Sequence, residues 1–411
     1  MDTLYPRCAG IDVHKNNVVV CIRCCDRPRK VFEEVRTFST MTADLLALAD
    51  WLAEHGVTHV AMESTGVYWK PVFNILEGSV HVILVNAEHV KQVPGRKTDV
   101  KDCQWLAQLL QHGLLKASFV PPEPIRELRD LTRQRTQLIS ERSAAANRIQ
   151  KVLEDANIKL ASVATDVLGV SGRDMLQALI AGENDPAKLA DLARKRLREK
   201  MPQLELALRG RVTEHHRFLL RLHLDHVTQL EELLDRLNVR IEEALAPFAE
   251  AATRLQTIPG VSQRVAETVL AEIGTNMDQF PTDGHLASWA GMCSGNNESA
   301  GKRRSGRTTK GNRWLKRILV QAAWAASHSK GTYLTARYRR LAKRRGRKRA
   351  LVAVGHTLLV IIYRMLKRGS TYAELGADFL DRLEPERLTR QLIKRLEALG
   401  HKVLLEPTPA A

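Results

Sequence analysis

Aromatic residues make up only 5% of this 411-residue chain, which argues against base stacking as the main way of gripping a partner. Carboxylates are missing altogether between Glu298 and Glu374. That stretch holds 21 Lys and Arg, so the formal net charge of +17 is concentrated there and the rest of the chain is slightly acidic. The block contains apolar-patterned segments and is no simple solvated tail. Such a block attracts phosphate backbones, and its binding weakens steeply with salt. An apolar signal core is absent from Met1–Pro6. The longest greasy run, Leu351–Leu366, is short for a membrane span and contains Gly355, His356 and Arg364, so it reads as a buried helix. The expectation is a cytoplasmic protein with no membrane partner. A second pair of zinc ligands is also lacking: Cys21-x-x-Cys24-Cys25 has the spacing of half a site and no partner motif, which leaves reduced thiols in a strand.

What is present divides along the chain. Residues 1–120 alternate apolar strands with amphipathic helices in the order β-β-β-α-β-α-β-α, an α/β RNase H/RuvC-like pattern: a mixed sheet, flanking helices and acids at strand ends. Its last helix is expected from about Asp99 to His112. Pro121, Pro122 and Pro124 mark a linker. Residues 121–248 read as a helical or coiled-coil arm, with Val227, Leu230, Leu234, Leu237 and Ile241 at 3-4 spacing. Packing inside a helical bundle gives the same stripe. Residues 249–370 form a mostly α, basic unit. It starts with Ile258-Pro-Gly-Val-Ser262, which looks like a helix-hairpin-helix turn able to offer backbone N–H groups to phosphate. Residues 371–411 are a C-terminal amphipathic helix and tail, with Leu388, Leu392, Leu396 and Leu399 at helical spacing.

Four carboxylates in the first quarter suit a divalent metal: Asp12, Glu63, Asp99 and Asp102. Phosphodiester cleavage builds charge on the attacking and leaving oxygens, and a pair of Mg²⁺ ions about 4 Å apart stabilises both. Mg²⁺ prefers carboxylate oxygens and water. Asp99 and Asp102 are i and i+3 and share a helix face. Asp12 sits in an apolar strand, where an unpaired acid is costly to bury. Each acid alone has an ordinary reading: Asp99 as a first-turn acid, Glu63 as the partner of Lys70 or Lys97. Together they point to metal.

The segment 291–312 is no core sequence: it has five Gly and three Ser. Lys302, Arg303, Arg304, Arg307 and Lys310, followed by Arg313, suit charge-assisted bonds to phosphate. A serine there has two readings. It is either a nucleophile on phosphorus, giving a covalent phosphoserine link to DNA, or a structural residue of a phosphate-gripping loop.

Both constellations, in this order, resemble a known family. The matching stretches are Gly10-Ile-Asp-Val-His-Lys15, Met62-Glu-Ser-Thr-Gly-Val-Tyr68 and Lys97-Thr-Asp-Val-Lys-Asp-Cys103, then Ile258-Pro-Gly-Val261, Ser299-Ala-Gly-Lys302 and Gly306-Arg-Thr-Thr-Lys-Gly-Asn312 before a Leu-Lys-Arg helix. They are similar to the DEDD transposases of insertion sequences, which pair a RuvC-like domain with a serine domain and act as bridge-RNA-guided recombinases. The resemblance implies that Asp12, Glu63, Asp99 and Asp102 bind Mg²⁺ and that Ser299 is the nucleophile, with Ser294 and Ser305 as fallbacks. It implies donor and target DNA and a guide RNA as partners. It also implies a homo-oligomer, dimer to tetramer, in which one subunit's acids meet another's serine. The runner-up is a RuvC-like Holliday-junction resolvase acting by hydrolysis, which needs no serine.

Overall fold

The computed structural model describes residues 3–27, 30–64, 66–86, 102–295, 297–305, 307–383 and 385–406. The chain forms two compact units, residues 1–120 and 121–411. The divisions expected at 248 and 370 fall inside the second unit.

The first unit is built on a five-stranded sheet of order β3-β2-β1-β4-β5. Its strands are β1 (Arg7–Val13), β2 (Asn17–Arg27), β3 (Lys30–Ser39), β4 (His59–Glu63) and β5 (His81–Val85). β1–β2 and β2–β3 pair antiparallel, while β1–β4 and β4–β5 pair parallel. The mixed sheet of the expected RNase H/RuvC-like arrangement is therefore present. Parallel neighbours need a crossover, and α2 (Trp69–Leu76) supplies it between β4 and β5. α1 (Thr42–Glu54) places Leu45, Leu48, Trp51 and Leu52 on one stripe. With α2 it covers one sheet face, meeting Ile11, Val13, Val20, Ile22 and Met62. α3 (Asp102–Gln111) covers the other face, where Leu106, Leu109 and Leu110 pack on Cys8, Ala61, Ile83 and Val85. β1 is central and buried on both faces, which explains its almost continuous apolar run.

The second unit starts with a long helix, α4 (Glu123–Asp155). The short helices α5 (Leu160–Val163), α6 (Val170–Ala181), α7 (Pro186–Asp191) and α8 (Met201–Ala207) follow, then α9 (Glu214–Leu245). α9 runs back antiparallel along α4. Arg142 bonds Glu231 at 2.7 Å and Arg135 reaches Asn238 at 3.4 Å, so one register rises as the other falls. The short helices close a core at the far end around Leu153, Met175, Leu179, Leu204 and Leu224. The 3-4 stripe is filled from within the chain: Val227 enters that core, and Leu230, Leu234 and Leu237 pack with Leu138 of α4.

After α9 come α10 (Ala249–Gln256), α11 (Gln263–Ile273), α12 (Asp283–Trp289), a two-stranded hairpin of β6 (Asn297–Ser299) and β7 (Lys302–Ser305), α13 (Arg313–Ala326), α14 (Tyr333–Arg345) and α15 (Arg347–Arg368). Short α16 (Phe379–Arg382) and α17 (Pro385–Ala398) end the described chain. α15 is long and apolar enough to cross a membrane by length and composition alone. It packs against α12, α13 and α14, with Val354, Leu358, Leu359 and Ile362 buried, as a core helix does. The turn between α10 and α11 is tight: Gly260 has φ +85°, and a Cβ there would lie 2.5 Å from the Ala322 carbonyl oxygen of α13. Ser262, Gln263 and Arg264 at the start of α11 are exposed.

Candidate active site

The β1–β4 ladder ends on the pair Ile11↔Met62. Asp12 and Glu63, the next residues, therefore stand at one level on neighbouring strands. Side chains alternate across a strand. Ile11 and Met62 enter the core under α1 and α2, so Asp12 and Glu63 belong to the α3 face, as Ala61 does. Gly10 lies on that face too. A Cβ there would sit 2.1 Å from the Cys103 carbonyl oxygen and 2.5 Å from the Ala107 amide nitrogen. Only a bare Cα lets α3 settle this close to β1. Cys8 Sγ contacts the Ala107 carbonyl, so α3 runs opposite to β1 and begins beside the strand end that bears Asp12. Asp102, just before Cys103, is brought to the same end of the same face.

Asp12 is 25% exposed at its side chain, and its Oδ2 stands 3.2 Å from His14 Nε2. Three of the four expected acids thus share one face and one end of the sheet; Asp99 and Lys97 lie outside the described residues. Among the described residues, no group of three or more His, Cys, Asp or Glu is close enough to hold a metal ion. The donors themselves are hard carboxylate oxygens, the type Mg²⁺ takes.

The segment around Ser299 is a built hairpin rather than an open loop. Asn297 pairs with Ser305, Glu298 with Arg303 and Ser299 with Lys302. The turn is Ala300 (φ 51°) and Gly301 (φ 73°), both left-handed. That is the conformation of a type I′ turn, whose twist suits a hairpin. At its foot Ser294 bridges Thr308, and the Gly295 amide donates to the Arg307 carbonyl at 2.9 Å. Ser299 therefore sits beside the turn, Ser305 opposite Asn297, and Ser294 at the base. Lys302, Arg303 and Arg304 lie on β7, while Arg307, Lys310 and Arg313 are exposed. The Arg313 guanidinium lies 4.9 Å from the Trp314 ring centroid, a cation–π contact.

Sequence reasoning missed what anchors this hairpin. Asn312 caps α13, its Oδ1 accepting from the Trp314 and Leu315 amides at 3.0 Å. Its Nδ2 donates to Glu272 at 2.5 Å. The Glu272 carboxylate is fully buried on α11 and takes both arms of Arg133, at 2.7 and 2.8 Å. Arg129 adds a contact at 3.4 Å and donates to the Glu272 carbonyl at 2.6 Å. Burial lowers the Arg129 pKa to about 10, against the opposing pull of Glu272. An Asn just before an apolar run was a visible N-cap signal. The arginine partners, 139 residues away for Arg133, had none.

The cysteine motif makes no half-site. Cys21 packs with Cys103 and Ala107, while Cys24 joins the core on the opposite face. Burial pushes the Cys21 thiol up to about 12, which keeps it a protonated thiol near neutral pH. No cysteine is disulfide-bonded.

Two family models match the chain. A transposase model of the DEDD type covers residues 9–158, and a model described as transposase IS116/IS110/IS902 family covers residues 252–339. The first spans the acid-bearing sheet and the second spans the serine hairpin. Among relatives, the chain is 24% identical over 326 residues to the transposase for insertion sequence element IS1111A of Coxiella burnetii, covering 76% of this chain and 79% of that one. It is 31% identical over 120 residues to an insertion element IS110 uncharacterized 43.6 kDa protein of Streptomyces coelicolor, covering 29% of each.

Proposed function

The chain belongs to the IS110/IS1111 family of transposases, enzymes of DNA rearrangement, and we propose that it is a recombinase in which Asp12, Glu63, Asp99 and Asp102 serve a serine nucleophile at residue 299. The supporting observation is the placing of Asp12 and Glu63, on two strands, and Asp102, at the start of α3, at one end of one sheet face within the region matched by the DEDD model. These acids would hold Mg²⁺, which when bound neutralises charge on the oxygens of the scissile phosphate.

The chain's own groups do the rest. Ser299 Oγ attacks phosphorus. An Oγ–P bond forms as the bond from phosphorus to the leaving strand's sugar oxygen breaks; the serine gives up its proton and the leaving oxygen takes one. The mirror-image turn at Ala300-Gly301 holds Ser299 at a hairpin end, where a strand can approach it. Lys302, Arg303, Arg304, Arg307, Lys310 and Arg313 hold the backbone on either side. A structured RNA encoded by the element selects donor and target DNA, and subunits associate so that one copy's acids serve another's serine. The exposed start of α11 offers backbone N–H groups to phosphate. The protein works in the cytoplasm.

Ser299→Ala tests the nucleophile. Strand exchange should vanish while nucleic-acid binding stays near the wild-type value, and denaturing gels of the wild type should trap a protein–DNA adduct. Full recombination by the variant overturns the assignment. Cleavage with no adduct in the wild type would instead indicate hydrolysis of the resolvase kind.

A further inference from the structure

At the foot of the serine hairpin lies a cavity of about 1060 Å³. One stripe of α15 lines it: Arg349, Val352, Ala353 and His356, spaced i, i+3, i+4 and i+7. Met292 closes the floor; its Cε would lie 2.9 Å from a Cβ on Gly355, so a bare Cα on α15 makes room for it. Arg307 and Thr308 come from the hairpin base, Arg337 from α14 and Lys348 from the start of α15. None of the lining residues is a carboxylate.

Three features separate this cavity from a solvated cationic face. Its floor is apolar and half-buried, which bare phosphate binding does not need. Arg337 Nε is buried with no acceptor, an expensive state that an incoming anion would relieve. His356 is held below its ordinary pKa by burial and then by Arg337, against Asp283, so near neutral pH it offers one donor and one acceptor without charge. The volume is that of a small-ligand pocket. An apolar floor can touch the face of a base only when that base is out of its stack.

We propose that this cavity seats one unpaired nucleotide of a nucleic-acid strand, its base on the Met292–Val352–Ala353 floor and its phosphate among Arg307, Arg337, Lys348 and Arg349. The inference rests on the nucleic-acid reading above and adds a subsite to it. Ser294 at the cavity is five residues before Ser299, so the chain keeps the two within about 17 Å. A strand reacting at Ser299 therefore passes the cavity a few nucleotides away.

Cys293, half-buried in the lining, is a built-in reporter. Full-length protein is alkylated with iodoacetamide alone or with saturating single-stranded DNA, single-stranded RNA or duplex DNA of equal length, and modification at Cys293 is followed by mass spectrometry with Cys25 as the internal control. Single-stranded oligonucleotide should slow Cys293 alkylation at least about fivefold, and duplex should not. Protection by DNA assigns the seat to the processed strand, protection by RNA assigns it to the guide, and either supports the seat. The double variant Lys348→Gln, Arg349→Gln, both exposed positions, should lose about tenfold in single-strand affinity and lower the salt slope by about 1.4. Ala353→Leu fills the floor without touching charge and should weaken single-strand binding while leaving duplex binding within about twofold. Equal protection by duplex, or none by either single strand, overturns the seat while wild-type binding still stands. A wild type that binds no nucleic acid at low salt would sink the wider reading as well.

Discussion

Replacing Gly10 by Ala puts a methyl carbon 2.1 Å from the Cys103 carbonyl oxygen and 2.5 Å from the Ala107 amide nitrogen. A comfortable carbon–oxygen contact is about 3.3 Å or more, so α3 must retreat from β1 by about 1 Å. Both obstructing atoms are backbone, and no side-chain rotation relieves them. Overpacking of this kind costs about 1–3 kcal/mol, and the rigid partners place Gly10→Ala at the upper end. The same retreat carries Asp102 away from Asp12 and Glu63. Magnesium–oxygen distances tolerate little, about 0.2 Å, and a misplacement of about 1 Å at a reacting centre costs about 100-fold in rate. The expected outcome is a folded protein with a lowered urea midpoint, an unchanged m-value and Mg²⁺-dependent strand cleavage down by about two orders of magnitude. Gly78→Ala is the control, since a Cβ there meets nothing within 4 Å; it should stay within about 0.5 kcal/mol of wild type. If Gly10→Ala matched that control in both stability and cleavage, the argument that a bare Cα sets the acid geometry would be refuted.

Glu272→Ala leaves Arg129 and Arg133 facing an empty buried site and should cost about 3–5 kcal/mol. Urea midpoints at constant m-value measure it, and a loss below about 1 kcal/mol would count against the buried network. Ala300→Asn keeps the left-handed turn with a residue that tolerates it better, and should slow amide exchange in the hairpin by up to about 1 kcal/mol; faster exchange would contradict the turn assignment. His59, His223 and His356 are all held below the ordinary value of 6.5, chiefly by burial. Their folded forms bind protons less readily than the unfolded chain, so the stability they allow is complete above pH 6.5 and is lost as pH falls through the lower folded values. Melting temperatures compared at pH 7.5 and 5.5 should show that loss, and it should shrink in a triple His→Gln variant; an unchanged loss in the variant would point to other groups.

Local patterns carried most of the sheet. Alternation and apolar runs gave the strand and helix order of the first unit, because β1 and β4 are buried on both faces and α1 on one stripe. The level matching of Asp12 and Glu63 is a register fact, and register depends on which strands pair, which no single strand announces. The hairpin was missed for a chemical reason. Type I′ turns advertise themselves through Asn-Gly or Asp-Gly, and here Ala300-Gly301 does the job with an Ala in the left-handed region. The stripe on α9 was readable, but its occupant was not, since heptad-like spacing is silent on whether the seam belongs to the same chain. The cavity joins residues 292 to 356 from a loop and two helices, and its one visible hint was a histidine inside a greasy run.

The distribution of ion pairs explains why the basic stretch is available to phosphate. Elsewhere in the second unit arginines are matched to acids at close range, as in Arg133–Glu272, Arg135–Glu267 and Arg142–Glu231. Within 299–373 there is no acid to choose. Arg340 and Arg364 find carboxylates only beyond its ends, at Asp381 and Asp283. Cations gathered on a stretch that carries no carboxylate of its own repel one another, a cost the fold tolerates on an exposed face because water and counterions screen it. A polyanion replaces those counterions and releases them, so the free energy stored as self-repulsion becomes binding free energy. That conversion needs the cations to stand on rigid supports. α13, α14 and α15 provide them, packed on one another, with Asn312 and the buried Glu272 fixing where α13 begins.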